Sequence, residues 1–530
     1  MNILFYNGKV LTQDVSQPLA NTVYVKENKI EYVGNRSNQD LEIEKDTITI
    51  DLKGKVLLPG FIDTHTHFVN YALSKAKIDL SETKSMNELR QKLLDFKQTI
   101  RPDIKWISGV GWNKNVWSDC RGFNRYFIDD IFPDTPVSLA NKDRHTFLCN
   151  SKALEKMGIY KNSENPAGGK IGFFPDGTPD GFLYEHAWKL IDNVRPELPI
   201  AIQEKLLKEA IVEAHSFGLT GIHSMEHESA YKLFKNFKKK NELKLRICWH
   251  FPLELIDKMI VNGIKSYSGD DWFRYGGVKL FMDGSLGSQT AYMFHPYLNS
   301  KDNYGILIRS EDEFYKLIVK AGRNGISTST HSIGDRCNNI VINAIFRANR
   351  NSELAEKNLM HRIEHLQCII PSDQKRVADE GIYCAMQPIH ISMDIEVIDR
   401  YLGEYGKHSY NFHSLLNYGA NIGFGSDTPI ETHNPFLGIY SAIERKYQNN
   451  PDNPSWLPEQ KITTDEVIKA YTIGAARGSR SEDRIGSITK GKLADLLVID
   501  DYTSQDSTFW LKARPYMTIL DGKIVHNILI

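Results

Sequence analysis

Several features are scarce in this chain of 530 residues, and each absence excludes a class of protein. There are only six cysteines, and none of them has C-x-x-C spacing, which excludes a zinc ribbon, a redox pair and a disulfide scaffold. We expect buried, reduced thiols. No run of about 18 apolar residues occurs, and the first residues lack a basic stretch followed by a long apolar one. We therefore expect a cytoplasmic protein.

An excess of charge of one sign is also missing. The chain has 65 Lys and Arg against 66 Asp and Glu, a formal charge of -1. This balance predicts no nucleic-acid partner and no membrane partner. Hydrophobic residues at 41% and charged residues at 25% exclude disordered and collagen-like classes, and the length predicts more than one domain.

Both ends of the chain show the pattern of short strands. Near the N-terminus, apolar runs are separated by Asn-Gly and Glu-Asn-Lys turns that favour hairpins. Residues 486–500 and 517–525 show apolar runs again, around an Asp-Gly-Lys turn. Because chain termini often meet, we predict that residues 1–56 and 485–530 form one discontinuous β domain.

Between these ends, strand-like runs alternate with helical patterns, which is typical of a parallel sheet or barrel. The candidate strands are Leu57–Thr64, Leu219–Met225, Lys244–Phe251, Gly277–Asp283, Ile326–His331, Met360–Leu366, Tyr383–Pro388 and Asn421–Asp427. Eight such strands predict an α/β fold, a (β/α)8 TIM-like barrel, over residues 57–484, with its site at the carboxyl ends of the strands. The long gap after the first strand predicts an inserted subdomain or lid at residues 70–200, with a purely structural excursion as the alternative.

The strongest local pattern is LPGFIDTHTHF, in which His65 and His67 end an apolar strand. Alternate side chains of a strand share a face about 6.5 to 7 Å apart, so the two imidazoles can converge on one ion. Histidine is the commonest ligand of zinc and similar metals. The alternative is an exposed histidine pair, and the apolar lead-in and Asp63 on the same face argue against it.

The second pattern is GGVKLFMDGSLGS, in which Lys279 interrupts an apolar strand. Strand alternation puts Lys279, Phe281 and Asp283 on one face, which we expect to point into the barrel. An isolated buried ammonium is costly and tends to lose its charge. Two outcomes fit: a salt bridge with a neighbour such as Asp283, or reaction of the neutral amine with carbon dioxide to give a carbamate that bridges two metals.

Three further candidate ligands each lie at the end of a later strand. His331 stands in THSIGD, His365 in HRIEHLQ and Asp427 in GFGSDTP. On a strand, His361 and His365 are about 13 Å apart, so only one can reach a given ion. His365 is nearer the carboxyl end and is the predicted ligand, whereas His361 is predicted to be a core or supporting histidine.

Together these segments resemble the amidohydrolase superfamily, and within it amidohydrolase family 3, which includes YtcJ-like proteins and N-substituted formamide deformylase. The resemblance covers nearly the whole chain, through PGFID-x-H-x-H, VKLF-x-DGSLGS, H-x-IGDR, HRIEH-x-Q, the GSD segment and GKLADLLVID. It implies a (β/α)8 barrel that carries a metal centre and a small β-sandwich built from both chain ends. It also implies a divalent metal, with zinc as the first choice and one or two ions per chain.

By this resemblance, His65 and His67 are ligands of the more buried metal, and His331 and His365 serve the second. Lys279, as a carbamate formed with carbon dioxide, is the bridging ligand. We also expect a small-molecule substrate. A homodimer is expected because closed symmetric oligomers are the commonest soluble assemblies.

Asp427 resembles the strand-eight aspartate of the family, which lies at the metal, orients the attacking hydroxide, takes its proton and delivers it to the leaving nitrogen. The implied function is a metal-dependent hydrolase of an amide-type C–N bond, with N-substituted formamides as the best candidate substrates. The alternatives are a mononuclear deaminase, an ester or lactone hydrolase of the same superfamily, and a non-catalytic relative. Lys279 argues against the deaminase, and the complete ligand set argues against the non-catalytic relative.

Weaker patterns concern the substrate. His145 lies in KDRHTFLCNSKAL, a segment similar to one in which the family often has a histidine near the mouth. Trp112 could line an apolar pocket, or be buried in the core of the insertion. Asp283 could position Lys279 or contact the substrate, and Arg336 could clamp a carboxylate, with an ordinary ion pair as its alternative.

Two more positions are compared with the family. Glu185, in GFLYEHAW, matches a recurring family position, and we assign it no role. Arg144 stands where many relatives have a small residue. We expect this departure to favour a different or more acidic substrate.

Overall fold

A computed structural model describes residues 1–35, 42–100, 104–114, 117, 120–142, 145–447, 450 and 452–529. Within these ranges the strands are β1 (Ile3–Tyr6), β2 (Lys9–Leu11), β3 (Leu19–Ala20), β4 (Thr22–Lys26), β5 (Lys29–Gly34), β6 (Ile48–Asp51), β7 (Val56–Pro59), β8 (Phe61–Thr66), β9 (Ile78–Asp79), β10 (Ile107–Trp112), β11 (Val137–Asn141), β12 (Thr146–Cys149), β13 (Gly169–Phe173), β14 (Pro179–Glu185), β15 (Leu219–Ser224), β16 (Arg246–Pro252), β17 (Phe273–Phe281), β18 (Thr328–Ser332), β19 (Arg362–His365), β20 (Tyr383–Met386), β21 (Asn421–Phe424), β22 (Leu496–Ile499), β23 (Met517–Leu520) and β24 (Lys523–Asn527). The α-helices are α1 (Phe68–Ser74), α2 (Met86–Thr99), α3 (Arg125–Asp129), α4 (Ser151–Lys156), α5 (Lys189–Val194), α6 (Ile200–Ser216), α7 (Glu228–Lys239), α8 (Ile256–Val261), α9 (Glu311–Arg323), α10 (Asp335–Asn349), α11 (Ser352–Ala355), α12 (Pro371–Asp379), α13 (Ile391–Tyr401), α14 (Phe412–Asn417), α15 (Pro435–Glu444), α16 (Thr464–Tyr471), α17 (Ile473–Arg477) and α18 (Phe509–Lys512).

The chain divides into two units, of which the larger comprises Met1–Asn70 and Ala210–Ile530. Its central sheet has eight parallel strands in the order β21-β20-β19-β18-β17-β16-β15-β8. Where the first and last of these strands meet, the N–H of His67 donates to the carbonyl of Thr428 at 2.8 Å. The predicted TIM-like α/β fold is therefore confirmed, and the carboxyl ends of its strands gather at one end of the barrel.

Local capping sets where several barrel helices begin. The hydroxyl of Ser310 accepts the N–H of Glu313, and the Glu313 carboxylate accepts the N–H of Ser310, so that α9 starts with a capping box. Thr463 and Glu466 do the same for α16. In the described part of the chain, none of the helices combines the length and the apolar character that a membrane crossing requires.

Strands from both chain ends form two more sheets in the larger unit. Their strand orders are β5-β4-β1-β6 and β24-β23-β22-β7-β2-β3. Phe5 of the first sheet and Leu57 and Ile519 of the second belong to one buried apolar cluster. A β-sandwich domain with the bounds 1–56 and 485–530 stays a prediction.

The first predicted barrel strand, Leu57–Thr64, is in fact two strands. β7 pairs with β2 and β22 in the sheet of the chain ends, and only β8 belongs to the barrel. The chain passes from one sheet to the other at Gly60, where a Cβ would lie 2.4 Å from the side chain of Thr220. His65 therefore lies inside the barrel strand, and His67 lies just beyond its end.

The second unit comprises Tyr71–Glu209. Its strands form one sheet in the order β13-β14-β12-β11-β10-β9, and its apolar core includes Trp112, Trp117 and Phe182. The insertion predicted at residues 70–200 thus overlaps a segment with a sheet and a core of its own. Its role as a lid stays a prediction.

Candidate metal centre

Three side chains that together could hold a metal ion converge at the carboxyl ends of the barrel strands. Ligand atoms of His65, His365 and Asp427 lie within 4.8 Å of one another, and all three residues are buried. His67 Nε2 lies 3.3 Å from Asp427 Oδ1, and the ring centroid of His331 lies 4.5 Å from that of His365. The structure therefore brings together five of the six side chains that the sequence assigned to one site.

Lys279 is the sixth of these side chains, and it is buried without a hydrogen-bond partner. The residue is 5% exposed, and its Nζ makes no hydrogen bond within the described structure. The centroid of the Phe281 ring lies 4.9 Å from this Nζ. Burial lowers the pKa of Lys279 to about 8, so the neutral amine is accessible near physiological pH.

Burial keeps two of the histidines in the neutral form that binds metals. Burial first, and the charge of Lys279 second, lower the pKa of His331 to about 3 and bring the pKa of His65 below its ordinary value. Burial is the largest single effect on the pKa of His67 and acts to lower it, but the hydrogen bond to Asp427 and the negative charges of Asp427 and Glu226 together raise it above its ordinary value. Burial acts to raise the pKa of Asp427, but the neighbouring histidines hold it well below its usual range, so this carboxylate is ionised.

Two of the converging residues have left-handed backbone conformations. The φ angle is 78° at His365 and 60° at Asp427. For residues other than glycine this conformation costs about 1–3 kcal/mol, and it is concentrated at functional sites. At Gly425 a Cβ would lie 2.7 Å from both Asp63 Oδ1 and the backbone nitrogen of His65. The segment that carries Asp427 is thus held close against β8.

Side chains that orient these ligands were not predicted from the sequence. Gln387 Oε1 lies 2.9 Å from His365 Nδ1. Asp63 accepts the N–H of His65 at 3.0 Å and the hydroxyl of Ser426 at 2.5 Å, so it joins β8 to the loop after β21. A partner on the second ring nitrogen, such as Gln387, fixes the ring orientation and tautomer of a ligating histidine, whereas Asp63 fixes the backbone at His65. The available signal was the placement of Asp63 and Gln387 within or directly after barrel strands.

His361 lies in the core, as predicted. Its Nδ1 accepts the N–H of Thr328 at 3.2 Å, and burial lowers its pKa to about 4. The six cysteines are free thiols, and all but Cys120 are buried.

Trp112 does not line a pocket. Its side chain is fully buried, its Nε1 donates to the carbonyl of Leu139 at 2.8 Å, and its ring centroid lies 5.1 Å from that of Phe123. This burial favours the alternative of a side chain in the core of the insertion over that of a pocket wall. Apolar aromatic residues look alike in sequence whether they line a core or a pocket.

We expect Trp112→Ala to lower the free energy of unfolding by about 3–5 kcal/mol, because it leaves a cavity in a packed aromatic core. Zinc affinity should stay unchanged. Chemical denaturation and zinc titration of the same preparation measure both quantities. Unchanged stability together with a raised KM would instead restore a role in substrate binding.

Asp283 and Arg336 make contacts within the protein, and their roles towards the substrate stay predictions. Asp283 Oδ2 accepts the N–H groups of Tyr292 at 3.0 Å and Gly334 at 2.8 Å, so the salt bridge with Lys279 is not formed. The guanidinium of Arg336 lies 4.8 Å from the centroid of the Tyr292 ring. The Asp283 carboxylate thus accepts hydrogen bonds from backbone N–H groups. The sequence alone does not show where these groups lie in space.

His145 is exposed, and its Nδ1 lies 3.0 Å from Oε2 of Glu185, which is also exposed. Glu185 itself has a left-handed φ of 47°. The role of His145 in substrate binding stays a prediction. Arg144 lies outside the described residues.

Comparison with known proteins decides the family. The family model described as "Amidohydrolase family" matches residues 49–526. This chain belongs to the amidohydrolase family.

Three relatives align along nearly its whole length. Protein LONG AFTER FAR-RED 3 of Arabidopsis thaliana is 29% identical over 98% of this chain and 91% of its own length. Putative amidohydrolase YtcJ of Bacillus subtilis is 29% identical over 99% of this chain and 100% of its own length. N-substituted formamide deformylase of Arthrobacter pascens is 27% identical over 94% of this chain and 93% of its own length.

A solved structure supports the same assignment. An uncharacterized metal-dependent hydrolase from Pyrococcus furiosus matches with a TM-score of 0.79 at 25% identity, and the match covers 96% of this chain and 100% of that one. The resemblance to the YtcJ-like amidohydrolases is thereby confirmed. The amidohydrolase assignment and the group formed by His65, His365 and Asp427 point to a metal-dependent hydrolase.

Proposed function

We propose that this protein is a metal-dependent hydrolase that cleaves an amide-type C–N bond of a small molecule. The observation that carries the proposal is the convergence of His65, His365 and Asp427 within 4.8 Å in a chain of this family. The relative named N-substituted formamide deformylase makes N-substituted formamides the first substrates to test.

The side chains of the site fit zinc or a similar divalent ion, because neutral imidazole and carboxylate are its ordinary ligands. His65 and His67 would hold the more buried ion, and His331 and His365 a second one. His331 Nε2 donates to the carbonyl of Gly284 at 3.0 Å, which leaves Nδ1 as its ligand atom. When bound, a divalent metal lowers the pKa of water towards about 7 and polarises the substrate carbonyl.

As a carbamate, Lys279 would be the bridging ligand in this proposal. A buried amine without a partner meets the requirement for a neutral nucleophile. Its nitrogen lone pair adds to the carbon of carbon dioxide, an N–C bond forms, and one proton is released. The product carries two carboxylate oxygens, so one side chain can contact two ions.

Asp427 moves the proton. Its Oδ1 lies 3.5 Å from His65 Nε2 and 3.3 Å from His67 Nε2, and the carboxylate is ionised in these surroundings. It takes a proton from the attacking water and returns it to the leaving nitrogen, as a general base and then a general acid. The leaving amine thus departs in a neutral form.

A panel of N-substituted formamides, other amides, esters, lactones and aminated heterocycles tests the function. We expect kcat/KM for the formamides to exceed that for matched esters and lactones by at least about tenfold, which is roughly 1.4 kcal/mol of transition-state stabilisation. Faster ester or lactone cleavage would overturn the C–N assignment. Ammonia release from a heterocycle alone would favour the deaminase.

A further inference from the structure

A buried ion pair holds the ring of His65 from the side away from Asp427. His65 Nδ1 lies 2.7 Å from Glu364 Oε2, and Arg362 Nε donates to Glu364 Oε1 at 2.9 Å. His65 is 1% exposed, and both charged residues are 0% exposed. Arg362 and Glu364 stand two apart on β19 and therefore share its inward face.

Arg362 also holds the backbone directly before His65. Its Nη2 donates to the carbonyl of Thr64 at 2.9 Å, and its Nη1 donates to His223 Nδ1 at 2.8 Å. The guanidinium thus holds the backbone of β8, while its partner Glu364 holds the imidazole ring. A buried ion pair is weak evidence for stability, because desolvation offsets its attraction. Its contacts here indicate a role in placing His65.

His223, Cys248 and His250 form a second group whose ligand atoms lie within 4.8 Å of one another. Their hydrogen bonds exclude a metal site. His223 Nδ1 accepts from Arg362, and His250 Nδ1 accepts the N–H of Gly277 at 3.0 Å. In a neutral imidazole the other nitrogen, Nε2, then carries the proton and has no lone pair for an ion. His223 serves instead as an acceptor that orients Arg362.

We propose that Glu364 and Arg362 are positioning residues that fix the tautomer of His65 for metal binding. The inference rests on the proposed metal-dependent function. A carboxylate only accepts hydrogen bonds, so the proton of His65 stays on Nδ1. The lone pair is then on Nε2, the nitrogen that faces Asp427 Oδ1 at 3.5 Å.

Glu364→Gln tests this assignment, with zinc affinity measured by competition with a chromophoric chelator. Arg362 offers only donors, so the new amide oxygen turns to the guanidinium and the amide NH2 faces His65 Nδ1. His65 must then accept at Nδ1 and carry its proton on Nε2. We expect zinc affinity to fall about 10- to 100-fold. The matched control is Asp495→Asn, which breaks the buried pair with Arg246 (2.5 Å) and should leave zinc affinity unchanged.

A double variant separates positioning from a merely structural role. Arg362→Met alone releases the carbonyl of Thr64 and should also lower zinc affinity. Combined with Glu364→Gln it frees the amide to present its oxygen to His65, so we expect the loss in the double variant to be smaller than the product of the two single losses. Wild-type affinity in Glu364→Gln, or losses that simply multiply in the double variant, would overturn the proposal. If Glu364→Gln does not fold, Glu364→Asp, which no longer reaches Nδ1, should show the same loss, and wild-type affinity there would also overturn it. If the wild-type protein itself binds no zinc, the proposed metal-dependent function is contradicted as well as the positioning role.

Discussion

Asp427→Asn should lower kcat/KM by about 100- to 10,000-fold, the range that general acid–base catalysis contributes. The reason is chemical: the carboxylate is ionised among His65, His67 and His365, whereas an amide cannot take a proton from the attacking water. The measurement is steady-state kinetics on the best substrate of the panel. The metal content of the same preparation separates loss of the base from loss of the metal.

Asp373→Asn is the matched control for that experiment. Asp373 is also buried, at 1% exposure, but its carboxylate accepts from Asn339 at 2.8 Å and Arg376 at 2.7 Å, on α10 and α12. We expect this control to lower stability and leave kcat/KM nearly unchanged. Wild-type turnover by a metal-replete Asp427→Asn variant would show that another group moves the proton.

Lys279→Ala should remove at least about one metal ion per chain and most of the activity, because the site then lacks the amine that would form the proposed carbamate ligand. Mass spectrometry of metals counts the ions, and differential scanning calorimetry reports whether the fold survives. Added acetate should restore part of the metal content, since its two oxygens can occupy the place of the carbamate.

The control for this variant is Lys492→Ala. Lys492 is half-buried, and, unlike that of Lys279, its Nζ has a hydrogen-bond acceptor, Ser487 Oγ at 2.6 Å in the segment before β22. Its loss should leave the metal content unchanged. Full metal content in Lys279→Ala would disprove the bridging role.

The barrel could be predicted because most of its strands lie in separate strand-like runs, and these runs alternate with helical patterns. The break at Gly60 could not, because β7 and β8 are both buried and join into one continuous apolar run, although they belong to different sheets. Local pattern shows that a segment is a buried strand, but it does not show which sheet the strand joins.

The candidate ligands were predictable for a related reason. Side chains such as His65, Lys279 and Asp427 stand out as polar residues within or directly after apolar strands, and a barrel brings such positions together. The roles of Arg362 and Glu364 were not predictable, because they depend on a contact between β8 and β19 across 299 residues of sequence.

The most direct test of a metal centre at the carboxyl ends of the barrel strands is the metal content per chain. It should be measured by mass spectrometry on wild-type protein and on a His65→Ala/His365→Ala variant, both purified without chelators. We predict about one to two ions per chain in the wild type and less than about a tenth of that in the variant. No metal in the wild type, even after zinc and bicarbonate are supplied, would contradict the metal centre and favour a non-catalytic relative.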